Sequence, residues 1–174
     1  MTAPPLGPPV ILVMGVAGSG KSTVGRSLAR RLDREFGDAD DLHPPANVAK
    51  MSRGVPLTDE DRRPWLRDVA RWIEERVSGG VPAVLACSAL KRSYRRSLIP
   101  RPEAVRLVHL TGDRELIARR MAARRGHFFA PELLDSQLRD LEPPGPEENP
   151  ITVDVAHPTE EIVRRIVAAL AAAG

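Results

Sequence analysis

Gly15 to Thr23 reads GVAGSGKST. Gly15, Gly20, Lys21 and Ser22 stand at the fixed places of G-x-x-x-x-G-K-[ST]. Glycines let such a loop turn tightly and bring its N–H groups, here those of Val16, Ala17, Gly18, Ser19 and their neighbours, close to phosphate oxygens. Lys21 is then expected to reach the β- and γ-phosphates, and the Ser22 hydroxyl to sit on Mg²⁺. The flanks agree. Pro9 to Val16 (PVILVMGV) is a short apolar run of the kind a parallel sheet buries on both faces. Beyond the loop, Val24, Leu28, Ala29 and Leu32 recur at helical spacing. Phosphate bound there would meet free N–H groups and the positive end of a helix. A chance glycine turn is the competing reading, and the agreement of strand, loop, Lys-Ser pair and helix argues against it.

The chain has 174 residues, enough for one domain with a sizeable core. Its 42% hydrophobic and 28% charged content is that of a soluble globular protein. The formal charge of +3 is small and the arginines are spread along helices, so no nucleic-acid footprint is expected. One cysteine, Cys87, excludes an intramolecular disulfide and fits a reducing compartment. No apolar run approaches membrane-spanning length, and MTAPPLGPP lacks the charged and apolar regions of a signal peptide. Residues 1–9 read as a disordered, proline-rich lead-in, and 10–174 as a single domain.

Along the chain, EFGDAD (Glu35 to Asp40) is a weak strand that Gly37 interrupts. Asp38 and Asp40, at alternate positions, would point the same way at its end. Residues 41–65 are too irregular for core and read as a segment that covers a substrate. Thr58 and Asp61 form a possible capping box, although Pro64 moves the expected helix start towards Asp61. Val81 to Ser88 is a second buried strand, Ala89 to Leu98 a short basic helix, and Ala104 to Leu110 a third strand. A helix capped by Asp113 runs to Arg125, another follows Pro131, Ile151 to Val155 is the last strand, and a helix opened by Thr159 closes the chain. This alternation predicts an α/β fold: a five-stranded parallel sheet with helices on both faces. Ligands of such sheets bind beyond the carboxyl ends of the strands, where the phosphate loop, Asp40 and Ser88 fall.

Phosphoryl transfer needs the metal held, the acceptor hydroxyl oriented and the developing charge neutralised. Asp38 would help to hold Mg²⁺ and Asp40 would accept the acceptor's proton; alternatively both are turn residues. DADDLHPPANVAKMSRGVPLTDEDRRPWL, CSALKRSYR and RRGHFFAPELLDSQLRDLEPP, together with the phosphate loop, resemble the small gluconokinases. The resemblance spans about Val10 to Leu170. It implies a P-loop fold like those of shikimate kinase and the nucleoside monophosphate kinases, with a lid at about 120–131. It also implies ATP- and Mg²⁺-dependent transfer to the 6-hydroxyl of D-gluconate, feeding the pentose phosphate and Entner-Doudoroff routes, by a cytoplasmic homodimer. Residue by residue, it makes Gly15 to Thr23 the ATP and Mg²⁺ site, with Ser22 and Asp38 at the metal. Lys21, Asp40, Arg120 and Arg124 are implied as catalytic. Asp40, His43, Lys50, Arg53, Lys91, Arg92 and His127 would face gluconate, and His157 and Pro158 would border adenine. Gly37 departs from the family's usual bulkier apolar residue, which puts the packing of the second strand in question.

Plainer readings stand beside these. His43 would cap a helix, His127 would pack the lid, and His109 would belong to the core. Trp65 and Trp72 would pack on one face, and Cys87 has no chemistry assigned. Kinases of another polyol acid or of shikimate, and a nucleotide-binding protein without turnover, are the alternative functions.

Overall fold

The computed structural model describes residues 6–99, 101–123 and 132–173. The strands are β1 (Val10–Met14), β2 (Glu35–Asp38), β3 (Ala83–Ala86), β4 (Val105–Thr111) and β5 (Ile151–Asp154). The helices are α1 (Lys21–Leu32), α2 (Pro45–Ser52), α3 (Asp59–Gly79), α4 (Arg92–Leu98), α5 (Arg114–Ala123), α6 (Leu133–Asp140) and α7 (Thr159–Ala173). The sheet order is β2-β3-β1-β4-β5, with every pairing parallel. The expected five-stranded parallel sheet is therefore present.

Alternation along β1 explains the two-sided core. Ile11 and Val13 pack with Val24 and Leu28 of α1 and with Ile162 and Ile166 of α7. Val10, Leu12 and Met14 face the other way, onto Trp65, Val69 and Ile73 of α3 and Leu98 of α4. Every residue of β1 is buried, as a central parallel strand requires. Its carboxyl end delivers Gly15 into the loop between the two layers.

The structure corrects several expectations. Leu6 to Pro9 are not a loose lead-in. Buried Arg34 donates to the carbonyls of Leu6, Pro8 and Pro9, the latter two at 2.8 and 2.9 Å. Strand β2 ends at Asp38, and Asp40 sits in a 3₁₀ turn over Ala39–Leu42, so the two carboxylates do not share a strand face. Helix α3 starts at Asp59 because the capping box is real. The Thr58 hydroxyl accepts the Asp61 N–H and the Asp61 carboxylate accepts the Thr58 N–H, each at 3.0 Å. Pro64 is accommodated inside the helix.

Ala89 does not begin a helix. It adopts φ +44°, and α4 starts three residues later at Arg92. The buried Arg95 guanidinium binds the carbonyls of Ala89 and Leu90 at 2.8 and 3.0 Å and also meets Glu148, which fixes this turn. Gly37 leaves no packing defect. The Trp72 ring lies where a Cβ at position 37 would stand, with Arg76 stacked on it at 4.0 Å.

Candidate active site

The phosphate loop runs from buried Gly15 to half-buried Gly20, at the carboxyl end of β1. Gly18 and Gly20 take φ of +81° and +93°, the left-handed region that glycine tolerates. Lys21 opens α1, and its ammonium donates to the Val16 carbonyl at 3.1 Å, so it arches over the loop. The Ser19 N–H closes the same turn onto Val16 O at 3.2 Å. Thr23 is exposed one residue beyond Ser22.

Ser22 links the loop to β2. Its hydroxyl donates to Asp38 Oδ2 at 2.6 Å, while Asp38 Oδ1 accepts the Asp40 N–H at 3.0 Å. Asp38 thus joins the phosphate side to the turn that carries Asp40. Cys87, directly after β3, marks where these groups meet. Burial pushes its thiol up to about 12, and the nearby Asp40 carboxylate adds to the shift. Lys21 opposes the shift and Asp38 reinforces it. Cys87 is therefore a neutral core thiol beneath Lys21, Asp38 and Asp40.

A hydroxyl beside a carboxylate is a hard oxygen donor set, which suits Mg²⁺. Among the described residues no cluster of three or more His, Cys, Asp or Glu could hold a metal by itself. Mg²⁺ is commonly bound through one or two protein oxygens and completed by phosphate and water.

Beyond Asp40, His43 stacks on Trp65 with centroids 4.3 Å apart and planes 9° from parallel. Trp65 Nε1 donates to Ala39 O at 2.7 Å, which ties α3 to the turn. Burial first, and Arg62 second, lower the His43 pKa to about 4. The Asn47 amide donates to Asp61 O at 2.9 Å and lies 3.3 Å from His43 Nδ1. Since that amide nitrogen can only donate, Nδ1 accepts and the neutral ring carries its proton on Nε2.

The cations expected around the acceptor divide into groups. Lys50 pairs with Asp61 at 2.8 Å, and Lys91 with Asp59 at 3.0 Å. Hydrogen bonds from these lysines help hold both carboxyls low: Asp61 falls to about 2, and Asp59 is lowered first by Tyr94 and then by Lys91. Arg53 is exposed at the end of α2. Arg92 is paired as well, its guanidinium meeting Glu147 at 3.1 Å.

Sequence reading missed Arg62, which is 9% exposed and lies in the electrostatic reach of His43. It donates to the Tyr94 hydroxyl at 2.8 Å and to Asp140 at 3.3 Å. The hydroxyl in turn donates to Asp59. Nothing in the pattern DEDRRPW separates Arg62 from exposed Arg63; only the helix phase relative to Trp65 does.

On the opposite side of the loop, Arg120, His157 and Pro158 line a cavity of about 350 Å³ with Gly18, Gly20 and Thr23. Arg124, His127 and most of the expected lid lie outside the described residues. His109 is buried in β4, with burial lowering its pKa, as its core reading requires.

A family model described as an AAA domain matches residues 10–144. Gluconokinase of Gluconobacter oxydans is 48% identical over 167 residues, covering 94% of each chain. Thermoresistant gluconokinase of Escherichia coli is 39% identical, over 88% of this chain and 89% of its own. Among solved structures, a gluconokinase from Sinorhizobium meliloti matches with TM-score 0.83 and 48% identity, over 94% of this chain and 92% of its own. Shikimate kinase from Acinetobacter baumannii, at TM-score 0.59 and 20% identity over 95% and 94% of the two chains, shares the fold. The phosphate loop, the sheet order and these relatives lead to one assignment: the chain belongs to the gluconokinase family of P-loop kinases.

Proposed function

We propose that this kinase transfers the γ-phosphoryl group of ATP to the 6-hydroxyl of D-gluconate, giving 6-phosphogluconate and ADP. The observation that carries the reading is the Ser22–Asp38 bond, which joins the phosphate loop to the Asp40 turn. Donor and acceptor groups are thereby held side by side at the carboxyl ends of β1, β2 and β3. β3 runs into Cys87 and Ser88 and ends in no carboxylate of the kind that positions a hydrolytic water. That supports transfer to a bound hydroxyl over hydrolysis.

The residues have distinct tasks in this reading. N–H groups of Gly18 to Ser22 bind the phosphates, and Lys21 neutralises charge that develops on the transferring group. Ser22 and Asp38 would hold Mg²⁺, which supplies further charge neutralisation when bound. Asp40 orients the 6-hydroxyl and accepts its proton. Neutral His43 offers Nε2–H to a substrate hydroxyl. Lys50, Arg62 and Lys91 give the acceptor side its positive character, and Arg62 is the buried one that suits the carboxylate. Arg120 would reach phosphate, while His157 and Pro158 would border adenine in the cavity they share. Arg124 and His127 belong to the same reading through the family resemblance. A lid over the site would exclude water, the competing acceptor.

A homodimer in the cytoplasm completes the proposal. Val55 and Val81 are the exposed large hydrophobics among the described residues, so a partner face built from these residues would be mostly polar. Among the described residues, no helix is long and apolar enough to cross a membrane.

The test is ADP release with ATP and Mg²⁺ across gluconate, shikimate, glycerate, glucose and no acceptor. Gluconate-dependent release with phosphate on the 6-hydroxyl is expected. Release with another acceptor would overturn the assignment of residues 41–65. No release from folded protein that still binds ATP would favour a nucleotide-binding protein without turnover.

A further inference from the structure

Helix α6 reaches the phosphate loop through one side chain. Gln137 Oε1 accepts the Ala17 N–H at 2.6 Å, across 120 positions of sequence. Both residues are buried, at 8% and 3% exposure. An N–H inside a loop built to present N–H groups to phosphate is therefore committed to a protein acceptor. The adjoining residue is fixed from another direction. At Gly18 a Cβ would collide with Met121 and crowd Ile117, so α5 closes on the loop there. Val16 O is held by Lys21 and by the Ser19 N–H.

We propose that Gln137 is a positioning residue for nucleotide binding: by holding the Ala17 N–H it sets the orientation of the peptide groups from Gly18 to Lys21. It touches no reacting atom. A buried N–H that loses its acceptor must rotate or draw in water, because leaving it unpaired costs more than a typical hydrogen bond contributes. Rotation of the Val16–Ala17 peptide would carry the neighbouring N–H groups away from the phosphates. Affinity for a nucleoside diphosphate therefore depends on α6, a helix far along the chain from the loop.

The inference rests on the loop being the nucleotide site, which ADP binding by the unaltered protein checks separately. The variant is Gln137→Leu, which keeps side-chain bulk and removes the acceptor. Leu134→Val, on the same helix and buried at 2% exposure, is the control for loosened packing. ADP affinity by calorimetry, the KM values for ATP and gluconate, and the melting temperature are read for each. Gln137→Leu is expected to weaken ADP and raise the ATP KM on the order of tenfold, the scale of one buried hydrogen bond. The gluconate KM should stay within about twofold, and Leu134→Val should melt earlier with unchanged ADP affinity. Equal ADP affinity in Gln137→Leu and the unaltered protein, or an equal loss in Leu134→Val, would reduce Gln137 to a packing role and overturn the proposal. If Gln137→Leu does not fold, Gln137→Asn, one methylene short of Ala17, is judged by the same criteria.

Discussion

Between Gly15 and Gly20 the proposed site is built of backbone, whereas from Asp38 to Tyr94 it is built of ionised and aromatic side chains. The loop is almost wholly buried, and its shape is held by glycine dihedrals and the Gln137 and Lys21 bonds. On the acceptor side Lys50, Arg62 and Lys91 each already have a carboxylate. The Lys50 and Lys91 pairs are half-exposed or exposed, so each contributes little to stability, whereas Arg62 is the buried member. These pairs keep the cations oriented and leave them able to exchange partners. Phosphate binding thus calls for a rigid frame, and recognition of a flexible polyhydroxy acid for adjustable charge.

The difference can be broken from either side. Lys21→Ala should have the largest effect, with turnover down by roughly a thousandfold and the fold unchanged by circular dichroism. Near-normal turnover would remove Lys21 from the phosphate site. Asp40→Asn should come next, lowering kcat about a hundredfold while the ATP KM moves less than about threefold. The reverse pattern would move Asp40 from the acceptor to the nucleotide.

His43 gives a pH signature. Its folded value of about 4 lies below the ordinary 6.5, so the unfolded chain takes up the proton first as pH falls. The stability it contributes is complete above pH 6.5 and is lost between there and pH 4, by roughly 2 kcal/mol at pH 5. Chemical denaturation across that window should show the slope, and His43→Gln should flatten it. An unchanged slope in the variant would mean that the ring is not desolvated. The smallest effect is expected for Arg62→Lys, which keeps the charge but loses the fork spanning Tyr94 and Asp140. The gluconate KM should rise about fivefold with the ATP KM unchanged; a change in the ATP KM alone would place Arg62 outside the acceptor site.

The same contrast explains what the sequence made legible. The loop could be read because backbone geometry imposes a fixed spacing on Gly15, Gly20, Lys21 and Ser22. The buried strands could be read because each is a short apolar run. Arg62, Arg95 and Gln137 could not, since a buried polar residue is spelled like an exposed one until its partner is known. Their partners Asp140, Glu148 and Ala17 lie 78, 53 and 120 positions away. In EFGDAD the spacing of Asp38 and Asp40 reads as strand alternation. The capping aspartate turned the chain into a 3₁₀ turn instead. The Arg92 counterion, Glu147, sits in a loop that carries no motif, so that pair could not be read either.

Gly37 and Trp72 also set a rule for how this chain can vary. The indole occupies the volume a side chain at position 37 would need, so the two residues together fill one space. A larger residue at 37 is then tolerable only with a smaller one at 72, and the exchange must occur as a pair. Gly37→Val alone or Trp72→Leu alone would each be harmful, the first by collision and the second by a void. Made together they should largely compensate. Related chains with an apolar side chain at the position of Gly37 are expected to carry a smaller residue opposite it, a covariation whose cause is volume and not catalysis.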